Sequence, residues 1–397
     1  MRIAILNTLY PPSTVGGAER SVAVLAQGLV AAGHQVDAIV LHDGAEMTTE
    51  SVDGVTVHRL PHAQTYWPYD GQERGAASRL GWHWRARGLW AGMDGLARLL
   101  ESIAPDAVHT NNLTGFGSDV IPMLRAMNLP VVHTLRDFGL VCARAGLFRD
   151  GKDCTPRCLS CRVLTRRRIK NAGGVGMVVG NSQFMIDRHR QEGLFADTPS
   201  RTIFNAVPGI GVPPEPTPRK AGQPLRIGFA GMVKAEKGIE TLLSACRPLP
   251  NDAWTLTVAG RGEQSYVEGL KAASADLPVA WPGFVPIDRF FAELDLIVIP
   301  SIWPEPMPRV LIEAMAAGLP VIVSDAGGSA EVAGLYPHAR LYDRGDVGAL
   351  TGALQDAIRQ GPKRHRPSKA LLARFSVERL VDDYLDAYRT VIAAQGA

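Results

Sequence analysis

Residues 296–331 read LIVIPSIWPEPMPRVLIEAMAAGLPVIVSDAGGSAE, and this stretch decides the fold. Leu296–Pro300 is short, apolar and β-branched, the signature of a strand buried in a parallel sheet. A turn from Ser301 to Pro308 follows, then a helix that ends before Gly318 and Pro320. Val321–Ser324 is the next strand, so the stretch is one βαβ unit. Glu305 stands in the turn and Glu313 just over one turn past Pro308, a suitable first helical residue. Both acids therefore fall near the helix's N-terminal end, at the carboxyl edge of the sheet, where open α/β sheets bind ligands.

That edge suits a phosphorylated, hydroxyl-rich ligand. Free amides and the positive helix end favour an anion. Pro306 and Pro308 have no N–H, so Met307, Arg309 and Val310 must supply the amides. A carboxylate accepts two hydroxyl hydrogens at once, as a ribose diol or adjacent sugar hydroxyls require. The bland alternative is a helix cap at Glu305 and a solvated face residue at Glu313.

The whole string resembles the E-x7-E region of retaining family-4 glycosyltransferases with the GT-B fold. The likeness runs through Glu305, Pro308, Val310, Glu313, Ala314, Gly318, Pro320, Val321, Gly327, Gly328 and Glu331. It implies an α/β protein of two Rossmann-like domains facing a central cleft, with a C-terminal helix crossing back to the first domain. It also implies that Glu313 binds the nucleotide ribose and that Glu305 faces the donor sugar near its reacting carbon.

Working outward, 397 residues allow two domains with proper cores, and 46% hydrophobic with 20% charged residues is an ordinary globular balance. A net charge of +3 gives no argument for a nucleic-acid partner. No apolar run approaches a membrane span, and MRIAILNTLYPP lacks the order of a signal peptide, so a cytoplasmic protein is expected. Four of five cysteines cluster, Cys142, Cys154, Cys158 and Cys161. In a cytoplasmic chain they read either as a structural Zn²⁺ or Fe–S site or as four reduced thiols on a loop.

Arg2–Leu6 is a strand, and a helix begins at Glu19 with Val22, Leu25, Ala26 and Leu29 on one face. Between them Gly16 and Gly17 permit close backbone approach, and GGAER resembles the family's glycine loop between donor phosphates and acceptor. Further strands are expected at Gln35–Leu41, Val55–Leu60, Ala107–Thr110, Val131–Leu135, Val175–Gly180 and Arg201–Phe204. The stretch 79–90, RLGWHWRARGLW, with RRRIK at 166–170, reads as an N-domain helix with snorkelling arginines or as a peripheral membrane contact.

HTLRDFGLVC resembles the segment in which the family carries a His-Asp pair facing the donor sugar, but Arg136 takes the histidine's place before Asp137. His133 should point to the other face of its strand. Residues 208–224 are rich in Pro and Gly and read as the linker between domains 1–207 and 225–377. The second half restarts with strand Arg226–Ala230, the turn at Gly231, and a helix after Lys237–Gly238. This resembles the family's G-R-x-x-x-x-K-G segment, whose Arg and Lys clamp the diphosphate; Lys237 matches, and Met232 replaces the Arg. Lys234, or Arg136 from the first domain, is expected to compensate for that missing guanidinium. Leu256–Ala259 and Val279–Pro282 are two more strands, and the helix after residue 378 is expected to pack on the first domain.

The resemblance implies transfer of a sugar from a UDP or GDP sugar to a glycan, lipid-linked or small-molecule acceptor, with retention. Glu305, Lys237 and Arg136 are the expected catalytic residues; Glu313, Gly16, Gly17, Gly231, Met307, Arg309 and Val310 the expected donor contacts. No Asp-x-Asp stands at a strand end, so no cofactor is expected to be required. A nicotinamide dehydrogenase is disfavoured because no G-x-G-x-x-G follows Leu6 or Ala230 in the required spacing. A GT-B epimerase and a non-catalytic sugar-nucleotide binder are the rivals.

Overall fold

The computed structural model describes residues 1–13, 16–85, 92–209, 216–220 and 222–396. Part of the basic aromatic stretch (86–90) and part of the linker therefore lie outside the described residues. The chain divides into two compact units, Met1–Arg149 with Cys154–Ala206 and Val377–Ala397, and Asp150–Asp153 with Val207–Ser376.

The first unit is built on an eight-stranded sheet. Its strands are β1 (Arg2–Leu6), β2 (Gln35–His42), β3 (Thr48–Val52), β4 (Val55–Pro61), β5 (Ala107–Thr110), β6 (Val131–Leu135), β9 (Met177–Gly180) and β10 (Ser200–Thr202); β7 (Phe148–Arg149) and β8 (Lys152–Asp153) form a separate two-stranded sheet. The order is β10-β9-β6-β5-β1-β2-β4-β3, parallel except for β3 against β4. Thr48–Val52 has no apolar run, and its exposed residues gave no strand signal; it folds as an edge strand by pairing with β4. The helices are α1 (Gly17–Ala31), α2 (Ala76–Arg85), α3 (Met93–Ile103), α4 (Val120–Ala126), α5 (Leu159–Leu164), α6 (Arg166–Ala172) and α7 (Gln183–Gln191). Val22, Leu25, Ala26 and Leu29 of α1 are buried in the core, as their spacing requires.

The second unit has six strands, β11 (Leu225–Ala230), β12 (Trp254–Ala259), β13 (Val279–Gly283), β14 (Leu296–Ile299), β15 (Val321–Ser324) and β16 (Ala339–Tyr342), in the order β13-β12-β11-β14-β15-β16. Every pair is parallel. Its helices are α8 (Ile239–Cys246), α9 (Gln264–Ala273), α10 (Ile287–Ala292), α11 (Arg309–Ala316), α12 (Gly328–Ala333), α13 (Val347–Gln360) and α14 (Lys369–Ala373). This is the doubly wound order, with its switch point between β11 and β14, the place where such sheets bind ligands.

The final helix, α15 (Val377–Gly396), belongs to the first unit. Leu380, Tyr384, Leu385, Tyr388 and Val391 enter that unit's core. Its two tyrosines reach a buried polar line: Tyr388 OH lies 2.8 Å from His109 Nδ1, His109 Nε2 2.7 Å from Thr134 Oγ1, and Thr134 Oγ1 3.0 Å from Tyr384 OH. The crossing helix is thus fixed by apolar burial and by hydrogen bonds that replace lost water.

Candidate active site

At the second unit's switch point, β14 ends in Ile299 and the turn Ser301–Pro308 carries Glu305 back over the sheet edge. Glu305 is 4% exposed. Lys237 Nζ donates to its Oε1 at 2.5 Å and Ser301 Oγ donates to the same oxygen at 2.6 Å. The Glu305 carbonyl accepts from the Gly328 amide at 2.8 Å, which ties the turn to the start of α12. Lys237 arrives from the other side of the switch point, at the end of a single 3₁₀ turn, Ala235–Lys237, after β11. Its ammonium lies 5.2 Å from the centre of the Trp303 ring, so the cation is positioned by a carboxylate and an aromatic face together.

The backbone beneath this pair is held by close contacts. Gly238 has φ 72°, and a Cβ there would lie 1.8 Å from the Pro300 carbonyl. Gly260 has φ 151°, and its Cβ would strike the Gly231 carbonyl at 1.7 Å. Only glycine lets the ends of β11, β12 and β14 approach this closely. Gly231 donates its amide to Ala259 and so closes the tip of β11.

α11 begins at Arg309 with Pro308 as its N-cap, so Arg309 and Val310 occupy the first turn, where amides have no helical partner. Glu313 stands one turn on, half-buried, and pairs with Arg309 at 3.5 Å. Met307 is buried. The structure therefore brings Glu305 and Lys237 into contact and Glu313 and Arg309 into another pair on the following helix. Met232 is 39% exposed, so the chain does not fill the place of the missing guanidinium with packing. Ser301 and Trp303, which flank Glu305 in the turn, were not singled out in the sequence; two positions after a buried strand was the signal available for Ser301.

The first unit places its residues differently. Gly16 donates its amide to Glu19 Oε2 at 2.9 Å, and α1 starts at Gly17, two residues earlier than the apolar periodicity indicates. Arg136 follows β6, is 7% exposed, and donates from Nε to Asn111 Oδ1 at 2.7 Å and from Nη1 to Asn205 Oδ1 at 2.9 Å. The Asn111 Nδ2 amide is buried with no acceptor among the described residues. A cavity of about 50 Å³ borders this edge, lined by Asn111, Arg136, Asp137 and Arg168 among others. Burial pushes the Asp137 carboxyl above the usual carboxylate range, against the pull of the Gly139 amide. His133 also lines this cavity, paired with Thr110 Oγ1 at 2.8 Å and stacked on Phe195, and burial lowers its pKa to about 3.

The cysteines form no disulfide, and among the described residues no three His, Cys, Asp or Glu side chains are arranged to hold a metal ion. In the basic aromatic stretch Trp82 is buried with its indole N–H on the Tyr66 carbonyl at 3.2 Å, whereas Leu80 and Trp84 are exposed. No helix among the described residues is long and apolar enough to cross a membrane.

Comparison with known proteins agrees with this geometry. Residues 15–208 match the model of Glycosyltransferase Family 4, and residues 216–372 that of Glycosyl transferases group 1. A Klebsiella pneumoniae protein described as an uncharacterized 42.6 kDa protein in the cps region is 28% identical over 98% of this chain and 100% of its own length. The 2-deoxystreptamine N-acetyl-D-glucosaminyltransferase of Streptomyces fradiae is 31% identical over 47% of this chain and 45% of its own. Among solved structures, sucrose-phosphate synthase from Thermosynechococcus elongatus superposes with a TM-score of 0.74 at 21% identity, covering 99% of both chains. Anabaena HepE, solved in complex with UDP, superposes with a TM-score of 0.71 at 19% identity, covering 98% of this chain and all of that one. Two parallel-sheet units of this order, each matched by its own half of the family, make the chain a glycosyltransferase of the GT-B fold, belonging to family 4 and group 1.

Proposed function

We propose that this glycosyltransferase is retaining and metal-independent and moves a hexose from a UDP or GDP sugar to an acceptor hydroxyl. The observation that carries this reading is the buried Glu305 carboxylate joined to Lys237 at the β11–β14 switch point. Charge develops on the leaving diphosphate, and a preorganised cation and amides are what stabilise it. Lys237 supplies the cation; the Gly231 turn and the first turn of α11, with Met307, Arg309 and Val310, supply close backbone. Lys237 and Ser301 both bind Glu305 Oε1, which holds the carboxylate to orient the donor sugar. Glu313 takes the ribose hydroxyls, and its pairing with Arg309 sets its rotamer.

In the first unit, the Gly16–Gly17 loop offers close backbone approach, and Arg136 with the Asn111 amide offers hydrogen-bond donors to an oxygen-rich ligand. The acceptor is a glycan, a lipid-linked sugar or a small molecule; Leu80 and Trp84 on α2 support a lipid-linked one held at a membrane surface.

A thermal-shift panel of UDP and GDP sugars tests the donor, since a ligand at a hundred times its Kd adds about 2.7 kcal/mol of stability. With the stabilising donor, nucleotide release coupled to a glycosylated product is expected, with the donor's anomeric configuration kept and undiminished activity in EDTA. Release without any glycosylated product would turn the reading to an epimerase, and binding without turnover to a sugar-nucleotide binder.

A further inference from the structure

The transfer chemistry makes no use of α5 and α6, yet their outer face carries what a solvated helix avoids. Helical hydrogen bonding runs on through their junction, from the Thr165 amide to the Cys161 carbonyl and from the Ile169 amide to the Thr165 carbonyl, both at 2.9 Å. Cys161, Leu164 and Thr165 turn inward and are buried, and Arg167 is held by Asp119 at 2.6 Å. Leu159, Arg162, Val163, Arg166 and Lys170 are all exposed. At about 3.6 residues per turn these five fall within an arc of about 100°. Leu159 is 74% and Val163 48% exposed, two apolar side chains one turn apart in water. Arg162, Arg166 and Lys170 follow one another at single-turn intervals, and like charges so spaced weaken a helix. No acid relieves them: none occurs from 154 to 186, and Glu192 is already taken by Arg157 and Arg188. Among the described residues the three cations enter no ion pair.

We infer that the outer face of α5 and α6 docks the first unit on a bilayer that carries anionic lipids. This rests on the reading of a lipid-linked acceptor held at a membrane surface, and adds to α2 a second contact of its own chemistry. Arg162, Arg166 and Lys170 meet the anionic headgroups, while Leu159 and Val163 enter the apolar boundary beneath them, as helices lying in the interface do. The long cationic side chains reach the headgroups without lifting the apolar pair out. A polyanion such as RNA would engage the cations alone and leave both apolar side chains in water. A protein partner would need a broader patch with an aromatic anchor, and 159–172 contains no aromatic residue. Charge and apolar exposure on one narrow arc therefore favour the lipid surface.

The test sediments the full chain with phosphatidylcholine vesicles made with and without phosphatidylglycerol. Binding is expected to the anionic vesicles alone, and to be lost at 1 M salt, where charges are screened beyond about 3 Å. Arg162→Gln, Arg166→Gln and Lys170→Gln together should weaken binding about 100-fold, about fivefold for each cation. Leu159→Ser with Val163→Ser should weaken it about tenfold. All five side chains are exposed, so melting temperatures should match that of the parent. Leu159→Trp should place an indole in the bilayer, read as emission quenched by brominated lipids beyond that of the parent. Equal binding to neutral vesicles, binding that survives the three glutamines, or no added quenching from Leu159→Trp would overturn the proposal. Serine substitutions that leave vesicle binding unchanged, as they would leave binding to heparin, would make the face a general polyanion site. Loss of binding in Leu80→Ser and in none of the α5 and α6 variants would return the contact to α2. The vesicles hold no acceptor, so none of these outcomes depends on which acceptor is used. Transfer to a water-soluble acceptor as fast as to a lipid-linked one, with vesicle binding intact, would remove the lipid-linked reading and leave this surface standing.

Discussion

At the switch point of the second unit a charged pair, Lys237 and Glu305, bridges the two strand ends; at the corresponding β1–β5 edge of the first unit the strand ends are joined by asparagine amides, one of which holds the Arg136 cation. There Asn7 Oδ1 accepts the Asn112 amide at 3.1 Å, and Asn111 holds Arg136. The topologies run alike, so fold does not account for the difference. A buried carboxylate is costly unless it is paired, so a pair kept at a ligand-binding edge is best explained by what it does to a ligand. Neutral amides bind oxygens of either protonation state and carry less information about the ligand's charge. On this comparison we expect the second unit to carry most of the recognition of the charged leaving group, with Arg136 as the first unit's own cation.

The sharpest way to break that division is Glu305→Gln. The amide keeps an oxygen for Lys237 and Ser301, so the fold should hold, with a melting temperature near that of the parent. Turnover should nevertheless fall by about 10³-fold, because a preorganised charge at the reacting centre is lost. Unchanged kcat would move the chemistry away from this turn. Lys237→Ala should follow, with kcat/KM down about 10²-fold and nucleotide affinity weakened. It should also cost about 1–3 kcal/mol of stability, read by urea denaturation, since Glu305 keeps only Ser301.

The first unit should respond more weakly. Glu313→Ala in the second unit and Arg136→Ala in the first are the matched pair. Removing Glu313 should raise the donor Kd at least tenfold, the value of one charge-assisted contact, without unfolding the chain. Removing Arg136 should raise it about tenfold if that guanidinium does compensate for Met232, and an unchanged Kd would confine anion recognition to the second unit. Isothermal titration with the same nucleotide sugar compares the two directly.

The two units were also unequally legible in the sequence. Around Glu305 the strand, turn, proline and helix signals all agree, and α11 begins at Arg309 with Pro308 as its N-cap, one residue later than the sequence reading placed it. The Lys237–Glu305 contact was not legible, because two short local patterns about 70 residues apart do not reveal that their ends share a switch point. In the first unit β3 was missed, since its side chains are mostly exposed and only its pairing makes it a strand. The roles of His109, Thr134 and Tyr388 were invisible for a related reason. Each reads as an ordinary residue of a strand or helix, and the line they form exists only once α15 is laid across β5 and β6.

Buried histidines set a pH difference between the units. His109, His133 and His189, all in the first unit, are held neutral by burial; His133 falls to about 3, His189 to about 4, and His109 well below its ordinary value. In the unfolded chain each takes a proton near pH 6.5. The unfolded state therefore binds more protons below that point, so their contribution is complete above about pH 6.5 and is lost as pH falls toward 4 and 3. Each such histidine gives a slope of about 1.4 kcal/mol per pH unit. Asp137, raised by burial, works in the opposite direction, since its native form takes up a proton at a higher pH than the unfolded chain does. In the second unit the lowered histidine, His338, is far less buried and contributes little. Hydrogen exchange at pH 7 and pH 5 should thus show β5 and β6 losing protection while β14 and β15 keep theirs. His133→Gln, which retains a partner for Thr110, should flatten the pH slope by about one proton. Equal loss in both sheets would mean that the buried histidines are not what makes the first unit acid-sensitive.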